Sequence, residues 1–385
     1  MKPVDRRTMI LMAGGIAVAA IAVRATAGAG DAPLGFAPDP AFLKRAEHLL
    51  ARYPAIDLHA HPGDTFARDA IDLSADVRAI AAAGPTEEQA VRDMRAGRMA
   101  GGSFAAVADV EILGTRNGAM GWLREFRPGE ARASYERQIR NLRKRVGEAG
   151  ASIALTPADI VRLHRQGRIA ALLTVEGGDF LAGDASYLDT AFADGVRAIT
   201  LVHYHPNELG DNQTALPRSG LTAFGREVVR GMDRLGMVID VAHASEDTAR
   251  GVLETSRNPV MCSHTVLASD TDRYPRFISA GLAKAVAAKG GVIGVWPSGF
   301  GAATMNDYVE RIFALRRAVG PEFVALGTDM DANYKPVLTS YRQIPLLVSE
   351  LLRRGYGEQE TIAFAGGNFL RLFGTVWKGR SAGQS

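Results

Sequence analysis

The chain has 385 residues, 47% of them hydrophobic and 23% charged, which is ordinary for a globular enzyme and long enough for a large α/β barrel. Its formal charge of +3 is carried entirely by residues 1–27, so the remainder is neutral and lacks the electrostatic attraction that binds nucleic acid or an anionic membrane. The single cysteine, Cys262, excludes an intramolecular disulfide, and its place in an apolar run favours a buried thiol over a nucleophile.

The first 27 residues have the pattern of an export signal. Lys2 and the pair Arg6-Arg7 form a basic start, residues 9–23 are apolar and uncharged, and Ala25-Thr26-Ala27 offers a small-residue cleavage site. The paired arginines indicate the twin-arginine type, and the apolar run is shorter than the ~20 residues of a spanning helix. We therefore predict a cleaved signal over residues 1–27 and an exported, periplasmic protein without a membrane span, with one domain over residues 28–385. The alternative is that this segment is not cleaved and stays in the membrane as an anchor.

Eight short runs of apolar and β-branched residues alternate with helix-length amphipathic segments along the rest of the chain. Several of these runs are apolar throughout, which is typical of parallel strands buried on both faces. Strand alternating with helix eight times predicts the α/β class and a (β/α)8 TIM barrel. The predicted strands are residues 55–61, 103–109, 169–176, 198–203, 237–243, 259–264, 291–297 and 323–329.

Two stretches exceed a minimal barrel. Residues 114–150 form an insertion after the second strand, which is predicted to be helical over residues 132–146. Residues 341–373 have the pattern of two amphipathic helices that pack on the barrel exterior. Between the strands, residues 279–289 have a helical pattern that begins with Ser279 as a cap.

Metal-ligand residues follow the ends of most predicted strands. All strands of a barrel point the same way, so side chains at their carboxyl ends meet at one mouth, where barrel enzymes carry their catalytic groups. His59 and His61 are two residues apart and therefore face the same side of an extended chain, where they can hold one ion together. His48 and His164 lie in helical segments and are predicted to be surface residues. The strand-end set is His59, His61, Glu176, His203, His205, His243, His264 and Asp329.

Glu176 is predicted to join two metal ions, because each of its oxygens can bind one and hold the pair ~3.5–4 Å apart. Each ion lowers the pKa of bound water, so the expected nucleophile is a metal-bridged hydroxide. The predicted ligands are His59, His61 and Glu176 for one ion, and Glu176, His243 and His264 for the other.

Two further strand-end residues are candidates for the chemistry itself. Asp329 is expected to orient the hydroxide, take its proton and pass it to the departing amine. His203 either polarises the scissile carbonyl or holds the tetrahedral oxyanion, or else it is a structural histidine, and the sequence leaves these roles open.

These segments together resemble the membrane dipeptidase family (renal dipeptidase-like, peptidase family M19), a branch of the amidohydrolase superfamily. The resemblance covers nearly the whole chain after the signal, and it depends on the order and spacing of the motifs. The motifs are Ile56-Asp57-Leu58-His59, Ala100-Gly101-Gly102, Thr174-Val175-Glu176-Gly177-Gly178, Ile199-Thr200-Leu201-Val202-His203, Asp240-Val241-Ala242-His243, Ser263-His264, Gly327-Thr328-Asp329 and Gly366-Gly367-Asn368.

The resemblance implies a barrel with a binuclear zinc centre, hydrolysis of dipeptides, tolerance of a D-residue at the C-terminal position, and often a homodimer. The family's arginine for the substrate carboxylate falls on Arg276, with Arg273 as a competitor, and a guanidinium fork suits a carboxylate in either case. Its metal-binding positions fall on His59, Glu176, His243 and His264, and its catalytic or substrate-contacting positions fall on His203 and Asp329.

The chain departs from the family pattern at the first metal site. The family has His-x-Asp, whereas this chain has His59-Ala60-His61, which makes the site one unit more positive. We expect a more acidic bound water or a more exchangeable first ion, or else Asp64 supplies the missing negative charge.

The substrate also stays open at this stage. A second hypothesis is an enzyme with the same binuclear centre that hydrolyses N-acyl amino acids, cyclic amides or lactones. A third is a non-catalytic metal-binding or ligand-binding member of the fold.

Overall fold

The computed structural model describes residues 32–216, 218–271 and 274–380. The predicted signal over residues 1–27 lies outside them and stays a prediction. Within the described residues the strands are β1 (Ile56–Asp57), β2 (Gly101–Val107), β3 (Leu113–Arg116), β4 (Ala119–Trp122), β5 (Ala151–Ile153), β6 (Ile169–Glu176), β7 (Val196–Thr200), β8 (Val238–Asp240), β9 (Met261–Thr265), β10 (Val292–Val295) and β11 (Val324–Leu326).

The α-helices of the described residues surround these strands. They are α1 (Pro40–Arg52), α2 (Ala75–Ala83), α3 (Glu87–Ala96), α4 (Glu130–Glu148), α5 (Pro157–Arg165), α6 (Tyr187–Ala193), α7 (Ala223–Leu235), α8 (Glu246–Thr255), α9 (Ala280–Ala288), α10 (Met305–Val319), α11 (Ile344–Arg353), α12 (Glu358–Ile362) and α13 (Asn368–Gly379). No helix within the described ranges combines the length and the apolar character needed to cross a membrane.

Eight parallel strands form the barrel in the order β1-β2-β6-β7-β8-β9-β10-β11. The seam between β11 and β1 is joined by hydrogen bonds from Leu58 N to Leu326 O (3.0 Å) and from Asp329 N to His59 O (2.9 Å). The strands are buried on both faces, which explains their nearly continuous apolar sequences. The predicted (β/α)8 barrel is confirmed.

Several strands end earlier than the sequence predicts. β1 ends at Asp57 and not at residue 61, β8 ends at Asp240 and not at residue 243, and β11 ends at Leu326 and not at residue 329. The backbone turns there, because His243 and Asp329 have φ angles of 63° and 55°, in the left-handed region that an extended strand does not use. His61, His243 and Asp329 therefore lie on turns just beyond the sheet.

The insertion after β2 begins with a hairpin that the sequence analysis missed. β3 and β4 pair antiparallel, with Arg116 opposite Ala119, so the two-residue turn is Asn117-Gly118. Both turn residues have positive φ, 53° and 79°, as an Asn-Gly hairpin turn requires. The helix that follows, α4, begins at Glu130 and ends at Glu148, slightly beyond the predicted bounds on each side.

The last helix, α13, closes the amino end of the barrel. α12 continues through a π-helical segment, Ala363–Gly367, directly into α13, so the tail consists of two helical bodies as predicted. The apolar side chains of α13, such as Phe369 and Phe373, pack with residues at the beginnings of the strands, including Ile56 and Val238. The tail therefore covers one end of the barrel, and only the opposite end is left for a site.

A buried carboxylate holds the barrel seam together. Asp57, at the end of β1, accepts hydrogen bonds from Thr328 N (2.9 Å), from the Thr328 hydroxyl and from the Tyr341 hydroxyl (2.8 Å). Burial raises the pKa of the Asp57 carboxyl to about 6, although the hydrogen bonds from Thr328 act to lower it. These bonds connect β1 to the turn after β11, and they fix the two turns that carry His59 and Asp329.

We predict that Tyr341→Phe destabilises the protein, because it removes a buried hydrogen bond to a charged group. The free energy of unfolding in urea, measured at pH 8 on chelator-treated protein, is expected to fall by about 1.5–3 kcal/mol. Tyr356→Phe is the matched control, since its buried hydroxyl has no hydrogen-bond partner among the described residues. An equal loss in both variants would show that the bond to Asp57 contributes nothing.

Candidate metal centre

Five predicted ligand residues lie together in one buried cup at the carboxyl end of the barrel. Each is at least nine-tenths buried, and each lies at or just beyond the end of a barrel strand. The residues are His59 and His61 after β1, Glu176 at the end of β6, His243 after β8, and His264 in β9. Side chains separated by up to about two hundred residues of sequence thus meet in one place.

Glu176 is at the centre of this cup. Its Oε1 lies 3.0 Å from His243 Nε2, 3.3 Å from His59 Nε2 and 3.7 Å from His264 Nε2. Its Oε2 lies 3.4 Å from His61 Nε2. One carboxylate therefore lies within reach of four imidazoles, three of them nearest to Oε1 and one nearest to Oε2.

The donor atoms converge in a way that suits metal ions. Nε2 of His59 lies 3.1 Å from Nε2 of His61, and Nε2 of His243 lies 3.1 Å from Nε2 of His264. Ligands about 2.0–2.1 Å from a tetrahedral zinc ion are themselves about 3.3 Å apart. Oε1 of Glu176 also lacks a hydrogen-bond partner within the described chain, although it is buried. The residues present therefore suit divalent cations.

The charged groups inside the cup shift one another's pKa values. Burial alone raises the pKa of Glu176, but the positive charges of His203 and His59 outweigh it and hold that pKa well below the usual range. Burial likewise lowers the pKa of His61, but the carboxylates of Asp329 and Glu176 reverse this and raise it to about 10. For His243, burial is the main cause of a pKa well below the ordinary value, and the nearby Arg276 adds to it.

His203 and Asp329 lie at the edge of the same cup. Nε2 of His203 is 3.4 Å from Oε2 of Glu176, and Oδ1 of Asp329 is 3.5 Å from Nε2 of His61. Both therefore also qualify by distance as metal ligands. The described residues contain three groups of potential ligand atoms within 4.8 Å of one another, and these are His59–His61–Glu176, His59–His264–Asp329 and Glu176–His203–His243. The last two groupings were not anticipated from the sequence.

Two carboxylates that were not predicted as site residues hold the backbone and rings of the candidate ligands in place. Asp109 accepts from Nδ1 of His203 (2.7 Å) and from the backbone N–H of His205 (3.1 Å). Asp240 accepts from the N–H of Ala242 (3.0 Å) and from the N–H of Ser263 (2.9 Å), the residues next to His243 and His264. Asp109 closes a predicted strand and Asp240 begins a recognised motif, so their positions were visible in the sequence although their partners were not.

Arg276 lies beside the cup. Its Nη2 is 3.4 Å from the carbonyl oxygen of His264, and its guanidinium carbon lies 5.0 Å from the centre of the Trp296 ring. That ring is in turn 6.1 Å from the His264 ring. The competitor Arg273 falls outside the described residues, so the choice between the two arginines stays a prediction.

The remaining histidines lie outside the cup. His205 is held between two carboxylates, with Nδ1 2.7 Å from Asp179 and Nε2 3.2 Å from Glu125, and it lines a separate cavity of ≈ 470 Å³. His48 is exposed on α1, as predicted, whereas His164 is half-buried on α5.

The chain has relatives among curated proteins. It is 33% identical over 239 residues to Dipeptidase 3 of Rattus norvegicus, which covers 58% of this chain and 49% of that protein. It is 31% identical over 232 residues to Dipeptidase verJ of Clonostachys rogersoniana, which covers 58% of this chain and 60% of that protein. The chain thus spans about half the length of the curated relatives it matches.

Two solved structures share its fold. The probable dipeptidase PvdM from Pseudomonas aeruginosa matches with a TM-score of 0.73 at 22% identity, over 89% of this chain and 100% of that chain. A metallo peptidase from Rhodobacter sphaeroides, liganded with a phosphinate mimic of the dipeptide L-Ala-D-Ala, matches with a TM-score of 0.70 at 19% identity, over 84% and 99%. At such identities the likeness shows the fold alone. The family described as membrane dipeptidase (peptidase family M19) matches residues 43–384, and the chain therefore belongs to it.

Proposed function

We propose that this chain is a zinc-dependent dipeptidase, which hydrolyses the peptide bond of dipeptides at a pair of cations held by His59, His61, Glu176, His243 and His264. The observation that carries the proposal is the position of the Glu176 carboxylate, 3.0–3.7 Å from one nitrogen of each of four imidazoles. Membership of the dipeptidase family supports the same reaction.

The protein's own groups have distinct tasks in this reaction. Bound zinc supplies Lewis acidity and lowers the pKa of water toward neutrality. Asp329, at the edge of the cup, accepts the proton of the attacking water and delivers it to the departing amine. His203 donates from Nε2 to the oxygen of the scissile carbonyl as negative charge develops there. Asp109 keeps the other ring nitrogen of His203 occupied, which fixes the direction in which Nε2 points.

Substrate orientation is assigned to Arg276. Its guanidinium rests on the Trp296 ring beside His264, so its remaining donors are available for a carboxylate at the mouth of the cup. The phosphinate mimic in the Rhodobacter sphaeroides structure corresponds to L-Ala-D-Ala, which supports acceptance of a D-residue at the C-terminal position. A carboxylate anchor next to the scissile bond directs cleavage to the last peptide bond of a substrate.

Location and assembly are further parts of the proposal. The basic, apolar and small-residue pattern of residues 1–27 supports export by the twin-arginine route and a periplasmic site of action. The homodimer implied by the family resemblance stays a prediction.

We predict that Glu176→Gln abolishes dipeptide hydrolysis, because the amide lacks the charge that holds the two cations. In an assay of zinc-loaded protein with L,L- and L,D-dipeptides, kcat is expected to fall by at least about 10²–10³-fold. Glu227→Gln, at an exposed position on α7, serves as the control and should retain wild-type turnover. Full turnover by Glu176→Gln would contradict the bridging role.

A second prediction concerns the substrate carboxylate. Arg276→Ala is expected to lower kcat/KM for a free dipeptide by a factor equivalent to about 2–5 kcal/mol, the cost of removing one member of a buried charge pair. The same dipeptide with an amidated C-terminus lacks the carboxylate and should respond weakly to the substitution. Arg273→Ala is the matched control. If Arg273→Ala shows the selective loss and Arg276→Ala does not, the anchor is Arg273.

A further inference from the structure

A cluster of aromatic rings extends from the candidate metal centre to the protein surface. Trp296, the first residue after β10, has its ring centre 6.1 Å from that of the candidate ligand His264. The Phe300 ring centre lies 5.7 Å from that of Trp296. Tyr334 stacks on Phe300 at 4.7 Å, and Tyr274 lies 5.3 Å from the same ring. We call these four residues, Trp296, Phe300, Tyr334 and Tyr274, the aromatic wall.

The outer part of the aromatic wall is in contact with solvent. Tyr274 is 38% exposed, and Phe300 and Tyr334 are half-buried, whereas Trp296 is buried. Contiguous exposed apolar surface often marks an interaction site, and aromatic rings with a few polar groups are the usual lining of a small-molecule site. The wall therefore suits a ligand that has an apolar group.

Hydrogen bonds hold the loops of the aromatic wall in place. Arg311 of α10 donates to the carbonyl oxygens of Trp296 (3.3 Å) and Phe300. Gly299 N donates to Tyr334 O at 2.9 Å, which joins the loop after β10 to the loop after β11. The rings are thus arranged before a ligand arrives, so binding to them requires little further ordering of side chains.

The carboxylate anchor of the proposed function lies on the same surface. The guanidinium carbon of Arg276 is 5.0 Å from the centre of the Trp296 ring. Thr265 connects the two residues, because its carbonyl oxygen accepts from Trp296 N at 2.8 Å and its hydroxyl donates to Arg276 O at 2.9 Å. The anchor and the aromatic wall therefore have a fixed position relative to each other.

The covalent structure of a dipeptide determines which of its groups meets the wall. The Cα atom of the C-terminal residue is bonded to the peptide nitrogen, to the carboxylate carbon and to the side chain. When the peptide bond lies at the cations and the carboxylate lies at Arg276, this side chain begins beside the anchor. The rings of the wall begin under the same guanidinium, so an apolar side chain there is removed from water against them.

One cation borders the aromatic wall and suggests a rival ligand. Nζ of Lys335 lies 5.5 Å from the centre of the Tyr334 ring, so an acidic C-terminal side chain would have an ammonium group to pair with. Lys335 is exposed, and an ion pair at an exposed site contributes little free energy. The ring surface offers the larger gain, which favours an apolar ligand.

We propose that the aromatic wall binds the side chain of the substrate's C-terminal residue, and that the enzyme therefore prefers dipeptides that end in an aromatic or large aliphatic residue. This inference rests on the proposed function, which supplies the positions of the peptide bond and of the carboxylate. It adds the class of C-terminal residue, which neither the metal centre nor Arg276 determines.

Substrate selectivity of wall variants tests this inference. Zinc-loaded protein is assayed with Ala-Phe, Ala-Ala and Ala-Asp, each with the C-terminal residue in L and in D form. In the series that is hydrolysed faster, kcat/KM for Ala-Phe is expected to exceed that for Ala-Ala by at least about 10-fold. Phe300→Ala and Tyr274→Ala should each lower this ratio by about 2–10-fold, the effect of one ring contact. Phe192→Ala is the matched control, because Phe192 is half-buried and stacks on Trp377 of α13 at the closed end of the barrel, and it should leave the ratio unchanged.

Binding of unreactive phosphinate mimics separates recognition from turnover. The Kd of an Ala-Phe mimic, measured by calorimetry, should rise in Phe300→Ala by the same factor as the selectivity falls. Tyr274→Ala keeps the test decisive if Phe300→Ala does not fold, because Tyr274 is exposed. An equal ratio in wild type and both variants, or a preference for Ala-Asp that Lys335→Gln removes, would overturn the inference and leave the proposed function intact. Absence of any dipeptide turnover by wild type would refute the proposed function, and the inference with it.

Discussion

The Glu176 carboxylate is the group on which the rest of this structure depends. At 2% exposure an ionised carboxylate is stable only when positive charge and hydrogen-bond donors surround it. The barrel brings nitrogens from β1, β7, β8 and β9 to within 3.0–3.7 Å of its two oxygens. Protons alone cannot supply a hydrogen bond to each of these nitrogens and oxygens. Two divalent cations would give every one of them a partner.

The scaffold keeps this cluster in register through a few buried acids just outside it. Asp57 connects the turn of His59 to the turn of Asp329, Asp240 connects the turn of His243 to strand β9 next to His264, and Asp109 holds the ring of His203. Each of these acids accepts at least one backbone or ring N–H at 3.0 Å or less. The opposite end of the barrel is filled by α13. One end of the barrel is therefore packed and stabilises the fold, and the other end carries the candidate metal site.

Much of the architecture could be predicted from the sequence because buried parallel strands leave apolar runs of a recognisable length. The strand-end histidines and Glu176 could be predicted for the same reason, since topology alone places the carboxyl ends of parallel strands at one mouth. The strand limits at His61, His243 and Asp329 were wrong, because the chain turns directly after short strands, with positive φ at His243 and Asp329, and an apolar pattern does not report such turns. The partners of Asp109 were not predicted, because topology brings the residues after β2 and β7 to the same mouth but does not say which side chains pair there, as Asp109 and His203 do.

The central claim is that Glu176 bridges two metal ions in the barrel mouth. Crystals grown with zinc, with diffraction data collected on both sides of the zinc absorption edge, test it most directly. The account predicts two anomalous peaks ~3.5–4 Å apart, one beside His59 and His61 and the other beside His243 and His264, with Glu176 between them. A single peak away from Glu176, or no peak in the cup, would contradict it.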